Sequence, residues 1–199
     1  MTTLADIRTR VRKDLHDIDS GAYRWTDSEI DRHIGRALDE LSLAIPQEKS
    51  STVATTAGSR DVSLASISGV IDVEAIEFPA GEFPPAYVGF SRWANTITLH
   101  GEREPDGENA KLYYTARHTL DDTGTTLPGH LEELLTTGAG AYAALEWSSF
   151  ATDRLNMGGP GVADQYAAWA RARLTAFRQL LFQQSRANRV RGRRLYTPA

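Results

Sequence analysis

Five arginines lie within nine residues near the end of the chain, in the stretch RANRVRGRR. The planar guanidinium group of arginine forms paired hydrogen bonds with carboxylates and phosphates. Three partners therefore fit the segment: a nucleic acid, an anionic membrane or an acidic protein surface. The membrane is the weakest, because the segment lacks the apolar face of an amphipathic helix. The arginines and the two residues that follow them are Arg186, Arg189, Arg191, Arg193, Arg194, Leu195 and Tyr196.

The charge of the chain is divided along its length. All 26 acidic residues lie at or before Asp164, together with 14 of the 22 basic residues, so this part carries a formal charge of −12. The remaining residues carry eight arginines and no acid, a charge of +8. Charge blocks of this kind mark a tail or face that meets a partner. The favourable interaction of cations with a helix C-terminus accounts for one or two of these arginines, but not for all of them.

Enzyme chemistry has few candidates. His130 and Glu133 have a spacing that could supply two metal ligands, and Glu132 with Glu133 forms a carboxylate pair that a hydrolase could use. Acidic residues in the first turn of a helix are favoured by its dipole, so solvent-exposed positions are the simpler interpretation. The chain has no cysteine and neither a His-Glu-x-x-His nor a Gly-x-Ser-x-Gly motif. We therefore predict no enzyme activity, no cofactor and no metal.

Two other histidines lie beside charged residues. His33 falls among Asp31, Arg32 and Arg36, which predicts a position on the protein surface. His118 precedes a pair of aspartates, an arrangement that suits either a catalytic dyad or a loop, and the loop is favoured. Neither histidine is predicted to be functional.

The start of the second helix is clearly marked. Thr26 is the expected N-cap, and Glu29 stands three residues later to complete a capping box. Trp25 and Ile30 occupy the two positions of a hydrophobic staple. From caps and apolar spacing, helices are predicted at about 3–18, 26–45, 128–150 and 161–187.

Between the helical halves, residues 50–117 change to short segments rich in β-branched and aromatic residues, separated by turns. They predict an antiparallel module, with a hairpin around Asn95 and Thr96. The third helix contains Gly138 and Gly140, and each helical glycine costs about 1 kcal/mol. We predict that a neighbouring backbone approaches closely there.

These elements predict an α+β fold that is mainly α. A core of four helices, two N-terminal and two C-terminal, contains an inserted antiparallel β-rich module. The main domain covers residues 1–185, and an extended basic arm covers 186–199. No apolar stretch approaches the roughly 20 residues that span a bilayer, so no membrane partner is expected.

The order of motifs resembles the head–tail connector (adaptor) proteins of tailed bacteriophages over nearly the whole chain. The first helix reads Leu-x-x-Ile-Arg-x-x-Val-Arg-x-x-Leu, and Arg24–Ile30 opens a helix that ends at Ile45-Pro46. Leu127-Pro128 then precedes a helix of small residues, and a long helix with a basic tail follows. The insert at 50–117 is longer than in the simplest members of that family.

The resemblance implies a homo-oligomeric ring, usually of twelve subunits, beneath the portal of the filled capsid. It implies an extended DNA channel without sequence recognition and a docking surface for tail, stopper or neck proteins. The arm at 186–199 would dock into the portal, and the location would be the virion neck. Acidic channel walls would repel phosphates and let DNA slide. Two alternatives remain: a tail-associated hydrolase using Glu132, Glu133 or His130, and a DNA-binding protein acting through the arginine tail.

Overall fold

The computed structural model describes residues 2–152 and 161–189. It contains two compact units. Among the described residues, the helical unit comprises those up to Ile45 and those from His118 to Arg189, and the β unit comprises Pro46–Arg117. Helices and an antiparallel sheet within one chain confirm the predicted α+β class.

The helical unit has four helices in the predicted order. Their bounds are α1 (Leu4–Asp14), α2 (Asp27–Ala44), α3 (Gly129–Thr152) and α4 (Val162–Arg189). The predicted capping box of α2 is present: the Glu29 N–H donates to Thr26 Oγ1 over 3.3 Å, and the Thr26 N–H donates to Glu29 Oε2 over 2.7 Å. Trp25 and Ile30 of the expected staple are both buried.

Helix α1 is shorter than predicted. It ends at Asp14 rather than near residue 18, because His16 takes a positive φ of 53° and turns the chain. The Asp17 N–H donates to the carbonyl of Arg12 over 2.9 Å within this turn. Ile18, at the end of the predicted helix, is 70% exposed. The ion pair between Asp17 and Arg12 holds this turn and sets the end of the helix.

Helix α3 is the central element of the helical unit and packs against α1, α2 and α4. Because neighbours surround it, its buried positions extend around the helix instead of forming a stripe. This explains its run of small buried side chains, which includes Ala139, Ala141, Ala143 and Ala144. Buried residues from all four helices form one apolar core.

The β unit is a six-stranded antiparallel sheet with the order β1-β6-β3-β4-β5-β2. Its strands are β1 (Gln47–Ala54), β2 (Asp61–Ser63), β3 (Val70–Glu77), β4 (Tyr87–Trp93), β5 (Thr96–His100) and β6 (Asn109–Ala116). The predicted hairpin joins β4 to β5. The sheet has its own apolar cluster, so the insert is a folded module.

The ends of the insert lie side by side. Strand β1 pairs with β6 over its full length, with Gln47 opposite Ala116. The chain therefore enters and leaves the β unit at one place, which lets a module be inserted between α2 and α3 without separating those helices.

Gly138 and Gly140 have different surroundings, which corrects the prediction of a close backbone neighbour. A Cβ built on Gly138 would lie 2.8 Å from ring carbons of Phe177, a fully buried side chain of α4. A Cβ on Gly140 would meet no atom within 4 Å. The constraint is thus a side chain against position 138, and position 140 carries no such contact.

These two glycines form a matched pair for mutagenesis. Overpacking a core costs about 1–3 kcal/mol and alanine in a helix regains about 1 kcal/mol, so we expect Gly138→Ala to lower the free energy of unfolding by about 0–2 kcal/mol. Gly140→Ala should be neutral or stabilising by up to about 1 kcal/mol. Urea unfolding followed by circular dichroism at 222 nm measures both. Equal effects of the two substitutions would contradict the contact with Phe177.

Candidate functional site

A buried ion pair holds the corner between α1 and α2. The Arg12 side chain is only 7% exposed, and its Nη1 donates to the carboxylate of Asp17. Its Nη2 donates to the carbonyl of Trp25 over 2.9 Å and to Asp27 over 2.7 Å. Asp17 also accepts the backbone N–H of Arg24 over 2.8 Å. The Arg24–Ile30 motif is thus fixed by charges from α1 and the turn after it, and its role here is structural.

Arg24 connects this corner to the later helices. Its guanidinium donates to the Tyr166 hydroxyl over 2.6 Å and lies 5.4 Å from the ring centroid of Trp147. The rings of Trp147 and Tyr166 lie 4.6 Å apart. One exposed arginine therefore joins the start of α2 to α3 and α4.

Two arginines of α4 are used inside the helical unit. Arg173 binds Asp14 over 2.6 Å, and Arg178 lies 3.5 Å from Glu40. Tyr142 donates its hydroxyl hydrogen to Glu40 and accepts from Arg178 over 3.3 Å. Burial, aided by Glu40, raises the pKa of Tyr142. These arginines hold α4 against α1, α2 and α3.

The predicted basic arm begins at the end of α4. Leu181 is the last buried apolar residue among those of α4 whose burial is described, and Arg186 lies beyond it with an exposed side chain 5.8 Å from the centroid of the Phe182 ring. Arg189 is the final residue of the helix. The remaining residues predicted for the arm lie outside the described part of the chain: Arg191, Arg193, Arg194, Leu195 and Tyr196.

His33 is buried, so its predicted surface position is wrong. It lies on the apolar face of α2 beside Ile30, Ile34 and Ala37, and that spacing in the sequence could have placed it there. Its Nε2 is 2.6 Å from Oε2 of Glu146 without hydrogen-bond geometry, and this contact is an ion pair only when His33 is protonated. Burial lowers the pKa of His33, and Glu146 opposes that shift.

His118 fastens the connection that follows β6. Its Nε2 lies 3.0 Å from the carbonyl of Ile45, and its Nδ1 lies 3.2 Å from that of Thr126. Its backbone N–H donates to Ser42 Oγ over 3.1 Å. Asp121 instead accepts from its own turn, so the dyad considered from the sequence is not formed. Burial lowers the pKa of His118.

The residues considered as candidates for a hydrolase site lie in different environments. Glu132 binds Arg10 over 2.8 Å, while Glu133 and His130 are exposed in the first turns of α3. Over residues 2–152 and 161–189, no group of three potential His, Cys, Asp or Glu ligands gathers to hold a metal ion. No helix in the described ranges has the length and apolar character to cross a bilayer.

Helices locked by ion pairs, an inserted sheet and a basic helix end give this protein the features of an assembly adaptor, which acts through its surfaces. The family model described as SU10 adaptor protein matches residues 2–196, and the chain belongs to that family. It is a structural bacteriophage protein, a head–tail connector of the virion neck that interacts with portal and tail proteins. No curated protein matches the sequence.

The corner between α1 and α2 predicts a large effect of one substitution. Arg12→Met would leave the buried carboxylate of Asp17 unpaired, and we expect it to lower the free energy of unfolding by about 3–5 kcal/mol. Arg32→Met is the matched control: Arg32 and its partner Glu146 are 60% and 46% exposed and form a surface pair, so the loss should be about 0–1 kcal/mol. Denaturant unfolding compares the two variants. Similar losses would show that the buried pair does not fix the corner.

The buried histidines predict a pH dependence of stability. Their neutral forms are favoured in the folded state, whereas the unfolded chain binds protons with the ordinary pKa of about 6.5. Stability should therefore be full above pH 6.5 and fall as the pH drops below it. His33→Gln should make this fall shallower, while His130→Gln, in the exposed first turn of α3, should leave it unchanged. Melting temperatures between pH 5 and pH 8 test the expectation.

Proposed function

We propose that this protein forms a homo-oligomeric ring of twelve subunits under the portal, extends the DNA channel and offers a docking surface to the tail or stopper protein. It is made in the host cytoplasm and acts in the virion neck. The observation that carries the proposal is the division of charge between a body of −12 and a C-terminal part of +8. Membership of the adaptor family supplies the context.

The basic arm, residues 186–199, is proposed to dock into the portal. Arg173 and Arg178 of α4 already bind acids of the helical unit, whereas Arg186 is exposed beyond the last apolar contact of the helix. Arg186, like the other exposed arginines of α4, is therefore available to an external carboxylate surface. Twelve arms that bind together would gain affinity through high effective concentration.

The acidic body suits a conduit for DNA. Carboxylates repel phosphates, so a channel lined by them raises no sequence-specific barrier and holds no phosphate tightly. The arginines in the arm, in contrast, favour DNA binding as the second candidate function. The two roles separate by salt dependence, because a phosphate-binding arm loses affinity steeply as counterions compete.

Deletion of residues 186–199 tests the docking role of the arm. The truncated protein should keep its circular dichroism spectrum and melting temperature, because the deletion begins beyond the last buried apolar residue of α4. Its attachment to purified portal should fall at least tenfold, measured by co-sedimentation and negative-stain electron microscopy.

Substitution of the five arginines distinguishes the contribution of their charge from that of the guanidinium geometry. Replacement by lysine keeps the charge and should retain part of the attachment, whereas replacement by glutamine should behave like the deletion. Normal portal attachment by the truncated protein would refute the docking role. Salt-sensitive binding of duplex DNA by the full chain, lost in the glutamine variant, would support the DNA-binding alternative instead.

A further inference from the structure

The outer face of α4 carries arginines and an exposed aromatic ring. Residues spaced by three and four positions share one side of a helix, and five exposed residues of α4 have this spacing: Arg171, Thr175, Arg178, Phe182 and Arg186. We call them the α4 stripe. Phe182 is 64% exposed and lines an open groove of about 630 Å³ with Gln179 and Gln183. A large apolar side chain beside a groove and basic residues is typical of a protein-binding face.

The β unit presents a second exposed aromatic on a well-anchored loop. Phe83, in the loop between β3 and β4, is 97% exposed. The Gly81 N–H donates to the buried carboxylate of Glu77 over 2.7 Å, and the Ala80 N–H donates to the carbonyl of Asn109 over 2.7 Å. A loop whose backbone is already held loses less conformational freedom when it binds, so Phe83 is well placed to act as an anchor.

The residues around Phe83 are mainly acidic, so their charge is opposite in sign to that of the α4 stripe. Glu82 lies 3.5 Å from Arg103, which also binds Glu108 and so links the Phe83 loop to the turn at 101–108. That turn adds the exposed acids Glu102, Glu104 and Asp106. We call residues 79–86 with 101–108 the Phe83 surface. It contains five acidic residues and one arginine, whereas the α4 stripe contains no acid and three arginines, of which Arg178 also contacts Glu40.

We propose that the Phe83 surface of one subunit binds the α4 stripe of a neighbouring subunit. Phe83 packs beside Phe182 in the groove, and the surrounding carboxylates face the arginines of the stripe. Two different patches join each pair of copies, so the contact is head-to-tail, the type that closes into a ring when the rotation is suitable. The inference rests on the proposed ring and adds which surfaces join its subunits.

Aromatic substitutions give the first test. Phe83→Ser should reduce rings on purified portal at least tenfold in negative-stain electron microscopy, and its solvent-exposed position should leave the melting temperature unchanged. Trp93→Ser is the matched control, because Trp93 is 87% exposed at the β4–β5 hairpin of the same unit. Rings formed by both variants at the wild-type level would overturn the inference and leave the ring proposal standing. Failure of the wild type to form rings would instead overturn the proposed function.

Charge reversal tests whether the contact is between copies. One variant carries Glu102→Arg and Glu104→Arg, and the other carries Arg171→Glu and Gln179→Glu. Each alone should lose ring formation, because one of the two facing patches then has no net charge and the attraction between them is lost. An equimolar mixture should regain it, because in an alternating ring the introduced arginines face the introduced glutamates at half of the contacts, and the unaltered acidic and basic patches meet at the other half. Absence of rescue in the mixture would overturn the inference, because a contact between copies is what allows one variant to compensate for the other.

A cross-linking measurement is independent of the portal. The chain has no cysteine, so introduced thiols react without background. Differently tagged copies carrying Ala86→Cys and Gln183→Cys should form a mixed dimer with a short bis-maleimide at high protein concentration. Ser20→Cys, at an exposed position outside both surfaces, is the control partner for Ala86→Cys. Equal yields with Ser20→Cys and Gln183→Cys would contradict the proposed contact.

Discussion

The contact of Phe177 with Gly138 sets the spacing on which the helical unit depends. Helix α3 packs against α1, α2 and α4, and its small residues let these helices come close. At Gly138 there is no room even for a methyl group, because the buried ring of Phe177 occupies that space. This close approach fixes the position of α4, and α4 in turn carries both the outer arginine stripe and the start of the basic arm.

Ion pairs then fix the helix positions that apolar packing alone would leave adjustable. Apolar side chains tolerate small shifts, whereas a buried guanidinium needs its carboxylate at hydrogen-bond distance. Arg12 and Asp17 form such a pair at the first corner, and Arg173 with Asp14 adds a partly exposed pair at the side of α4. The acidic side chains of the body are thus partly structural. They bind the arginines that orient the helices, and other arginines on α4 remain exposed.

The division of the arginines into internally paired and exposed residues relates the fold to the function of an adaptor. A structural protein of the virion neck needs a rigid body and binding surfaces that keep their shape. The helical unit meets the first need through its core and ion pairs. The β unit returns to its starting point through the β1–β6 pairing, which allows a complete surface module to be inserted in the chain. The anchored Phe83 loop shows what such a module can contribute, namely an apolar anchor in an acidic setting.

Local sequence determined the elements, because caps, periodicity and turns act between residues close in the chain. The capping box at Thr26, the antiparallel module with its hairpin and the four helices in their order follow from such patterns. The end of α1, the burial of His33 and the ring against Gly138 depend on residues from other elements, and only the tertiary structure could decide them. The division of charge was visible in the sequence, but which arginines are used internally was not, because the paired acids are distant in the chain. Asp14 lies 159 residues from Arg173, and folding alone brings those two charges together.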